Sequence, residues 1–386
     1  MKWLKYIIRR KHFVITVLSC AIIALLSLFT FNISFMNPIA NAIKNMSMTD
    51  VFFKIENSTS VPDTCHLITI VDVTELTSRG EIGEVLLSIY EMNPVVIGVD
   101  LIFEGEKDDI EGNLILENAV DQISPKTIFA NKLIDFDVQK GVFTNSVSSY
   151  FHEAFSLSEG YANVTDDMEK ATVRTFTICQ TENKEQRYSL PAQLAKRMGA
   201  RIDGLTGEMT INYSPTLFPV VSYKDINTSK HLLENHIVIV GVMEEQDMHL
   251  SPLGKTPGIE IQAYSTLTLL RQKNVKIVSI VICCIIGFVL CYIFELLLDI
   301  TSIWFEGRKS QFAIFIREAE IPLQVVSFLF LIIVTLCSFV LFVNKGIYID
   351  TILILALLIF VIESRNLYNA FMKAFISKDT DNTKSI

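Results

Sequence analysis

Three aspartates and one histidine are spaced so that a folded chain could gather them: Asp72, Asp100, Asp247 and His249. Each aspartate ends or follows a short run rich in β-branched residues: HLITIVD, PVVIGVDLIF and HIVIVG. If these runs are parallel strands, the carboxylates meet on one rim, because open α/β sheets bind ligands beyond the carboxyl ends of their strands. Carboxylate and imidazole groups there would suit a divalent cation or a polar ligand, and which metal, if any, stays open. The competing reading is local, since Asp is a good helix cap and turn residue. Arg174 follows the acids Asp166, Asp167 and Glu169. It either faces an anionic ligand or pairs with one of those acids.

Gly254-Lys255-Thr256 invites comparison with a phosphate-binding loop, but His249 stands where that motif needs its first glycine, and prolines flank the stretch. Nucleotide binding there is rejected. The sequence contains no His-Glu-x-x-His, no Gly-x-Ser-x-Gly and no paired-cysteine zinc spacing. No cofactor is expected. The net charge of −9 and the lack of a basic stripe exclude a nucleic-acid partner.

The elements that must position these residues alternate between strand and helix. The run at 66–72 reads as a strand, Ile82–Met92 as a helix and PVVIGVDLIF as a second strand. Near-continuous apolarity in the strands suits a parallel sheet covered on both faces. Lys107–Val120 reads as an amphipathic helix, Thr127–Ala130 as a short strand and Thr172–Cys179 as a strand. Leu190–Met198 reads as a helix, 236–241 as a strand and Glu260–Lys273 as a helix. The expectation is one α/β domain over residues 37–274 with a mostly parallel central sheet. Cys65 and Cys179 fall in it, either bridged or as two free thiols on separate strands.

Apolar runs at 13–35, 275–298, 321–343 and 347–362 are long enough to cross a hydrocarbon core of roughly 30 Å, the last being the shortest. Lys2, Lys5, Arg9, Arg10 and Lys11 precede the first run and hold residues 1–12 in the cytoplasm. A cleaved signal peptide ending near Ala40-Asn41-Ala42 is the alternative, but the apolar run is too long for one. Arg308, Lys309 and Arg317 then fall in a cytoplasmic loop at 299–320. Arg365, Lys373, Lys378 and Lys384 fall in a cytoplasmic tail at 363–386. Asn344-Lys345-Gly346 forms a tight outer turn. Glu295 and Asp299, near the inner end of the second crossing, are expected to snorkel or sit among headgroups. Gln311–Glu320, with Phe312, Phe315, Ile316 and Ala319 on one face, reads as a membrane-lying connector or a docking helix.

Several segments carry a resemblance. HLITIVDVTE, NPVVIGVDLIFEG, GYANVTDDMEKATVR, SLPAQLAKRMG and INYSPTLFPVVSYKDI come in order. HIVIVGVMEEQDMHLSPLGKTPGIEIQAYSTLTLL follows and is the most specific. Together they resemble the type-two CHASE domain, an extracytoplasmic sensory module of bacterial signalling receptors. One membrane helix before and three after is also similar to that family's layout. The resemblance implies an α/β extracytoplasmic sensor domain plus four transmembrane helices in a bacterial inner membrane, and makes a homodimer plausible.

Family members usually continue into a cyclase or kinase, whereas about two dozen residues follow Ile362 here. The expectation is therefore a sensor, not an enzyme. It would detect an unknown small ligand or envelope component and signal through a separate effector protein by shifting the helices that begin near Phe13 and Val275. The alternatives are a non-switching membrane scaffold that recruits an envelope protein, and a hydrolase with a metal on Asp72, Asp100, Asp247 and His249.

Overall fold

A computed structural model describes residues 10–32, 47–164, 172–272, 275–306, 310–318 and 321–376. Lys2, Lys5 and Arg9, the Ala40–Ala42 site, Asp166, Asp167, Glu169, Arg308, Lys309, Lys378 and Lys384 lie outside the described residues. The chain forms two units, residues 49–275 and residues 1–48 with 276–386.

In the first unit, α1 spans Met48–Thr59, β1 Ile68–Asp72, α2 Arg79–Glu91, β2 Val96–Val99, α3 Ile110–Ile123 and β3 Thr127–Asp137. Then come β4 (Val142–Val147), β5 (Glu159–Tyr161), β6 (Cys179–Glu182), β7 (Glu185–Tyr188) and α4 (Leu190–Arg197). β8 (Val220–Ser222), β9 (Ile237–Gly241), the hairpin β10 (Met248–Ser251) and β11 (Gly254–Pro257), and α5 (Gly258–Arg271) follow, with short strands and turns between them.

The β-branched runs become strands because both of their faces are covered. β2 and β9 are buried along their whole length, and β1 is buried except at Asp72. The neighbours run β8-β1-β9-β2-β3, and each of these pairs is parallel. β3 also takes β5 as a parallel neighbour at Phe129–Asn131 and then forms an antiparallel hairpin with β4. β4, β6 and β7 extend that edge, with β6 and β7 antiparallel.

α2 and α3 cover one face of the sheet. Val71, Ile97, Val99, Val238 and Val240 pack there against Leu86, Ile89, Leu116 and Val120. α4 and α5 cover the other face, where Leu194 sits over Gly98 and Ile259 over Gly241. Three sequence expectations shift in extent. The PVVIGVDLIF strand stops at Val99, because Phe103 turns back into the core and its backbone bonds Tyr150 and the Ser149 hydroxyl. The strand begun at Thr127 runs on to Asp137, where one side opens to solvent and the apolar signal fades. The run at 172–179 breaks into Thr175–Thr177 and β6. Cys65 and Cys179 are free, buried thiols.

Among the described residues, the second unit holds four helices long and apolar enough to cross a membrane, at Arg10–Asn32, Ile280–Glu306, Ile321–Lys345 and Thr351–Phe371. Their bounds differ from the apolar runs. The first helix takes in Arg10 and Lys11, and the last starts four residues later and runs past Arg365. Gly346, at φ 61°, ends the third helix, and its N–H reaches the Phe342 carbonyl at 2.8 Å. A left-handed residue at this position is a common helix stop, and glycine adopts it without strain. Ile347–Tyr348 then pairs in parallel with Lys276–Ile277. A short helix forms at Gln311–Glu318 with Phe312 and Phe315 exposed.

Candidate functional site

The order of the strands creates a crevice. After β2 the chain runs to α3 on one face of the sheet, and after β9 it runs through the hairpin to α5 on the other. β2 and β9 are neighbours, so their connections part at the carboxyl edge, and such a switch point leaves room for a ligand. A cleft of about 600 Å³ occupies this place. Asp100 and Ile102 line it from behind β2, and Val242 and Glu244 from behind β9. Asn131 and Lys132 come from β3, Asn163 from the segment after β5, Asp247 from the turn just before the hairpin, His249 from β10, and Gly258 and Gln262 from the first turns of α5.

Three of the five residues singled out in the sequence therefore meet in one cleft: Asp100, Asp247 and His249. The His249 imidazole Nε2 lies 3.6 Å from Asp247 Oδ1. Asp100 extends β2 by one residue, and its backbone N–H bonds the Val240 carbonyl at 2.8 Å. Burial, reinforced by the nearby negative charge of Asp247, pushes its carboxyl up to about 7, and His249 partly opposes this. Asp100 therefore holds a proton over much of the range in which an ordinary aspartate is ionised.

Asp72 and Arg174 lie elsewhere. Asp72 is the register partner of Gly241 on β9, but its carboxylate turns to its own chain. It accepts the Thr74 N–H at 2.9 Å and the Thr74 hydroxyl at 2.5 Å. Thr74 Oγ1 in turn accepts the Met243 N–H at 2.8 Å. Asp72 thus braces the loop that forms one wall of the cleft without entering it. Arg174 pairs in a bidentate fork with Asp50 in the first turn of α1, at 2.8 Å and 2.6 Å. It is not among the residues lining the cleft. Gly254-Lys255-Thr256 forms a hairpin strand, a shape that cradles no phosphate.

Sequence reasoning passed over Asn131, Gln262 and Gly258. Asn131 is only 4% exposed; its Nδ2 donates to Glu159 Oε2 at 3.1 Å, and its Oδ1 is buried without a partner. Gln262 is buried and donates to the Ala162 carbonyl at 3.0 Å. A Cβ on Gly258 would stand 2.6 Å from Asp247 Oδ2 and 3.1 Å from Oδ1, so the missing side chain makes the seat for that carboxylate. Gly258→Ala is expected to change stability by less than about 1 kcal/mol, because the clash falls on the flexible end of a surface side chain and alanine favours the helix. It should nevertheless expel Asp247 from its seat. Infrared titration of Asp100 would report this as a carboxyl pKa lower than in the unaltered protein. An unchanged Asp100 titration would show that Gly258 does not seat Asp247.

A second polar cluster lies in the membrane unit. Glu295 and Asp299, one turn apart on the second membrane helix and expected to snorkel or sit among headgroups, are turned inward toward neighbouring helices. They are buried against the first and fourth membrane helices. Arg365 Nη1 lies 3.1 Å from Glu295 Oε1, and Nη2 lies 3.4 Å from Asp299 Oδ1. Lys11 Nζ reaches Asp299 Oδ1 at 3.0 Å, and His12 Nε2 lies 3.4 Å from Asp299 Oδ2. Charges at this depth are costly and persist where they pair. Among the described residues, His12, Glu295 and Asp299 have ligand atoms all within 4.8 Å of one another, as a metal would require. Two carboxylates already matched by two cations leave little charge to attract one. The sequence marks Arg365 and Lys11 only as topology signals.

The chain matches a family model described as CHASE2 domain over residues 18–293. No curated protein and no solved structure matches it.

Proposed function

The chain belongs to the CHASE2 domain family, an extracytoplasmic sensory family, and we propose that it is a membrane-bound receptor whose cleft detects a small ligand. The observation that carries this reading is the cleft at the switch point between β2 and β9, on residues the family match covers. Four membrane-length helices fit a multi-pass membrane protein. In this reading the membrane is the bacterial inner membrane, the unit of residues 49–275 faces outward, and two copies associate. The site binds rather than catalyses. Asp100, with its carboxyl pushed up to about 7, is only partly ionised at neutral pH, and Asp72, wanted for a metal quartet, is engaged with Thr74.

α5 supplies a physical route for the signal. Its first turn lines the cleft, and it is a 14-residue helix of about 20 Å that ends just before the boundary at Val275. A ligand that binds one position of α5 more tightly than another shifts the population between them, and only by that difference in affinity. The altered helix would then bias the chain at 275–280, and the membrane unit would pass the change to a separate effector protein through its cytoplasmic loop and tail.

The outward orientation is testable in intact cells. A Lys140→Cys substitution in the exposed turn after β3 should react with a membrane-impermeant maleimide before permeabilisation. Reaction only after permeabilisation would place the domain inside and overturn the receptor reading. In the same cells, an effector that co-purifies with the full chain should be released or recruited when the cleft is filled.

A further inference from the structure

We propose that the ligand of the cleft is a small organic molecule bearing a protonated primary amine, whose ammonium group seats against the carboxyl groups of Asp100 and Asp247 with the Asn131 amide oxygen as a further acceptor. This deepens the receptor reading and rests on the cleft being its ligand site.

Three observations select the class. The first is charge. The titratable groups lining the cleft are Asp100, Glu244 and Asp247 against Lys132 and His249, and His249 already faces Asp247 at 3.6 Å. Carboxyl groups are in excess, so an anion is repelled and a cation is drawn in. The second is the acceptor left open at Asn131. This side chain is 4% exposed and lines the cleft, its amide nitrogen is used by Glu159, and its oxygen has no partner. A buried acceptor without a donor is costly, and the cost is recovered when a ligand brings the donor. An ammonium group offers three donors and no acceptor, which matches two carboxyl groups and an amide oxygen.

The third is geometry, which turns away a bare metal ion. Among the described residues, His12, Glu295 and Asp299 in the membrane unit bring three metal-ligand atoms within 4.8 Å of one another, whereas the cleft gathers no such set of three, only the pair Asp247 and His249 at 3.6 Å. The cleft volume of about 600 Å³ also lies in the range of small-molecule sites.

The binding step is non-covalent and balances in protons. Asp100, with its carboxyl pushed up to about 7 by burial and by Asp247, carries a proton at pH 6. An ammonium ion that seats beside it stabilises the carboxylate and releases that proton to solvent. At pH 8 the carboxylate is already formed and no proton leaves. Affinity should therefore weaken about tenfold between pH 8 and pH 6, because only the ionised fraction is competent.

The test uses the full chain in detergent, in amine-free buffer. Ethylammonium, ethanolamine and 1,4-diaminobutane serve as probes, with acetate and Mg²⁺ as controls, and isothermal titration is run at pH 6 and pH 8. The expected result is saturable binding of the amines at millimolar concentration, about tenfold weaker at pH 6, with proton release at pH 6 seen as a dependence of the heat on buffer ionisation. Asp100→Asn should weaken amine binding at least tenfold and abolish its pH dependence, and Asp247→Asn should weaken it while the protein stays folded. Failure of all three amines to bind at tens of millimolar overturns the amine assignment. Acetate or Mg²⁺ binding instead, lost in Asp100→Asn, also overturns it but leaves the cleft as a receptor site. The receptor reading falls separately, on the maleimide result.

Discussion

Replacing Arg365 with methionine is expected to destabilise the membrane unit by about 3–5 kcal/mol, the range seen when one partner of a buried ion pair is removed. Arg365 is 6% exposed and bridges Glu295, which is fully buried, and Asp299. Without it, Glu295 loses the cation that bonds it, and Asp299 is left with Lys11 and His12. Glu295 Oε2 is already without a hydrogen-bond partner, so the loss cannot be absorbed locally. The measurement is the fraction of full-length chain that stays monodisperse in detergent as temperature rises. The companion test is Arg365→Gln with Glu295→Gln. That pair removes one charge of each sign and leaves Asp299 with Lys11, so most of the stability should return. A single Arg365→Met variant as stable as the unaltered chain would show that the four groups are not coupled.

Asp100→Asn should raise the stability of the unit of residues 49–275 at pH 8 and leave it nearly unchanged at pH 4. The sign follows from linkage. The folded carboxyl titrates at about 7, against roughly 3.9 for an unfolded aspartate. Over this window the folded state binds more protons than the unfolded state, so stability falls as pH rises. Below about pH 4 both states are protonated and there is no penalty. Above about pH 7 the penalty is complete, on the order of 4 kcal/mol for a shift of about three units. Asparagine carries no ionisable proton and escapes it. Thermal melts of the two proteins from pH 4 to pH 8 should therefore start together and separate as pH rises. Curves separating toward acid instead would mean that Asp100 is ionised in a polar setting. A group that lowers stability in the unliganded protein is the kind of feature that binding sites retain.

Much of the α/β unit can be read locally. The runs at 66–72, 94–103 and 236–241 declare buried strands through β-branched continuity, and all three enter the sheet. The helices at 82–92, 190–198 and 260–273 keep their period and form within a few residues of those bounds. Gly346 marks a helix end because only its backbone conformation is at issue. These features depend on neighbours a few residues away, and a linear pattern records them.

The sites do not depend on neighbours. β9 inserts between β1 and β2, and this order, which no spacing discloses, sends Asp100 into a cleft and leaves Asp72 bracing a loop. Arg174 finds Asp50 across 124 positions, and Lys11 finds Asp299 across 288. By itself the sequence determined which segments are apolar on both faces, which are long enough to cross a bilayer, and which family the α/β unit resembles, because burial and period are written residue by residue. Tertiary structure alone decided which charges meet. Convergence is set by strand order and by helices packing far along the chain, and a carboxylate has the same letter whether it caps a turn, neutralises an arginine or waits in a cleft.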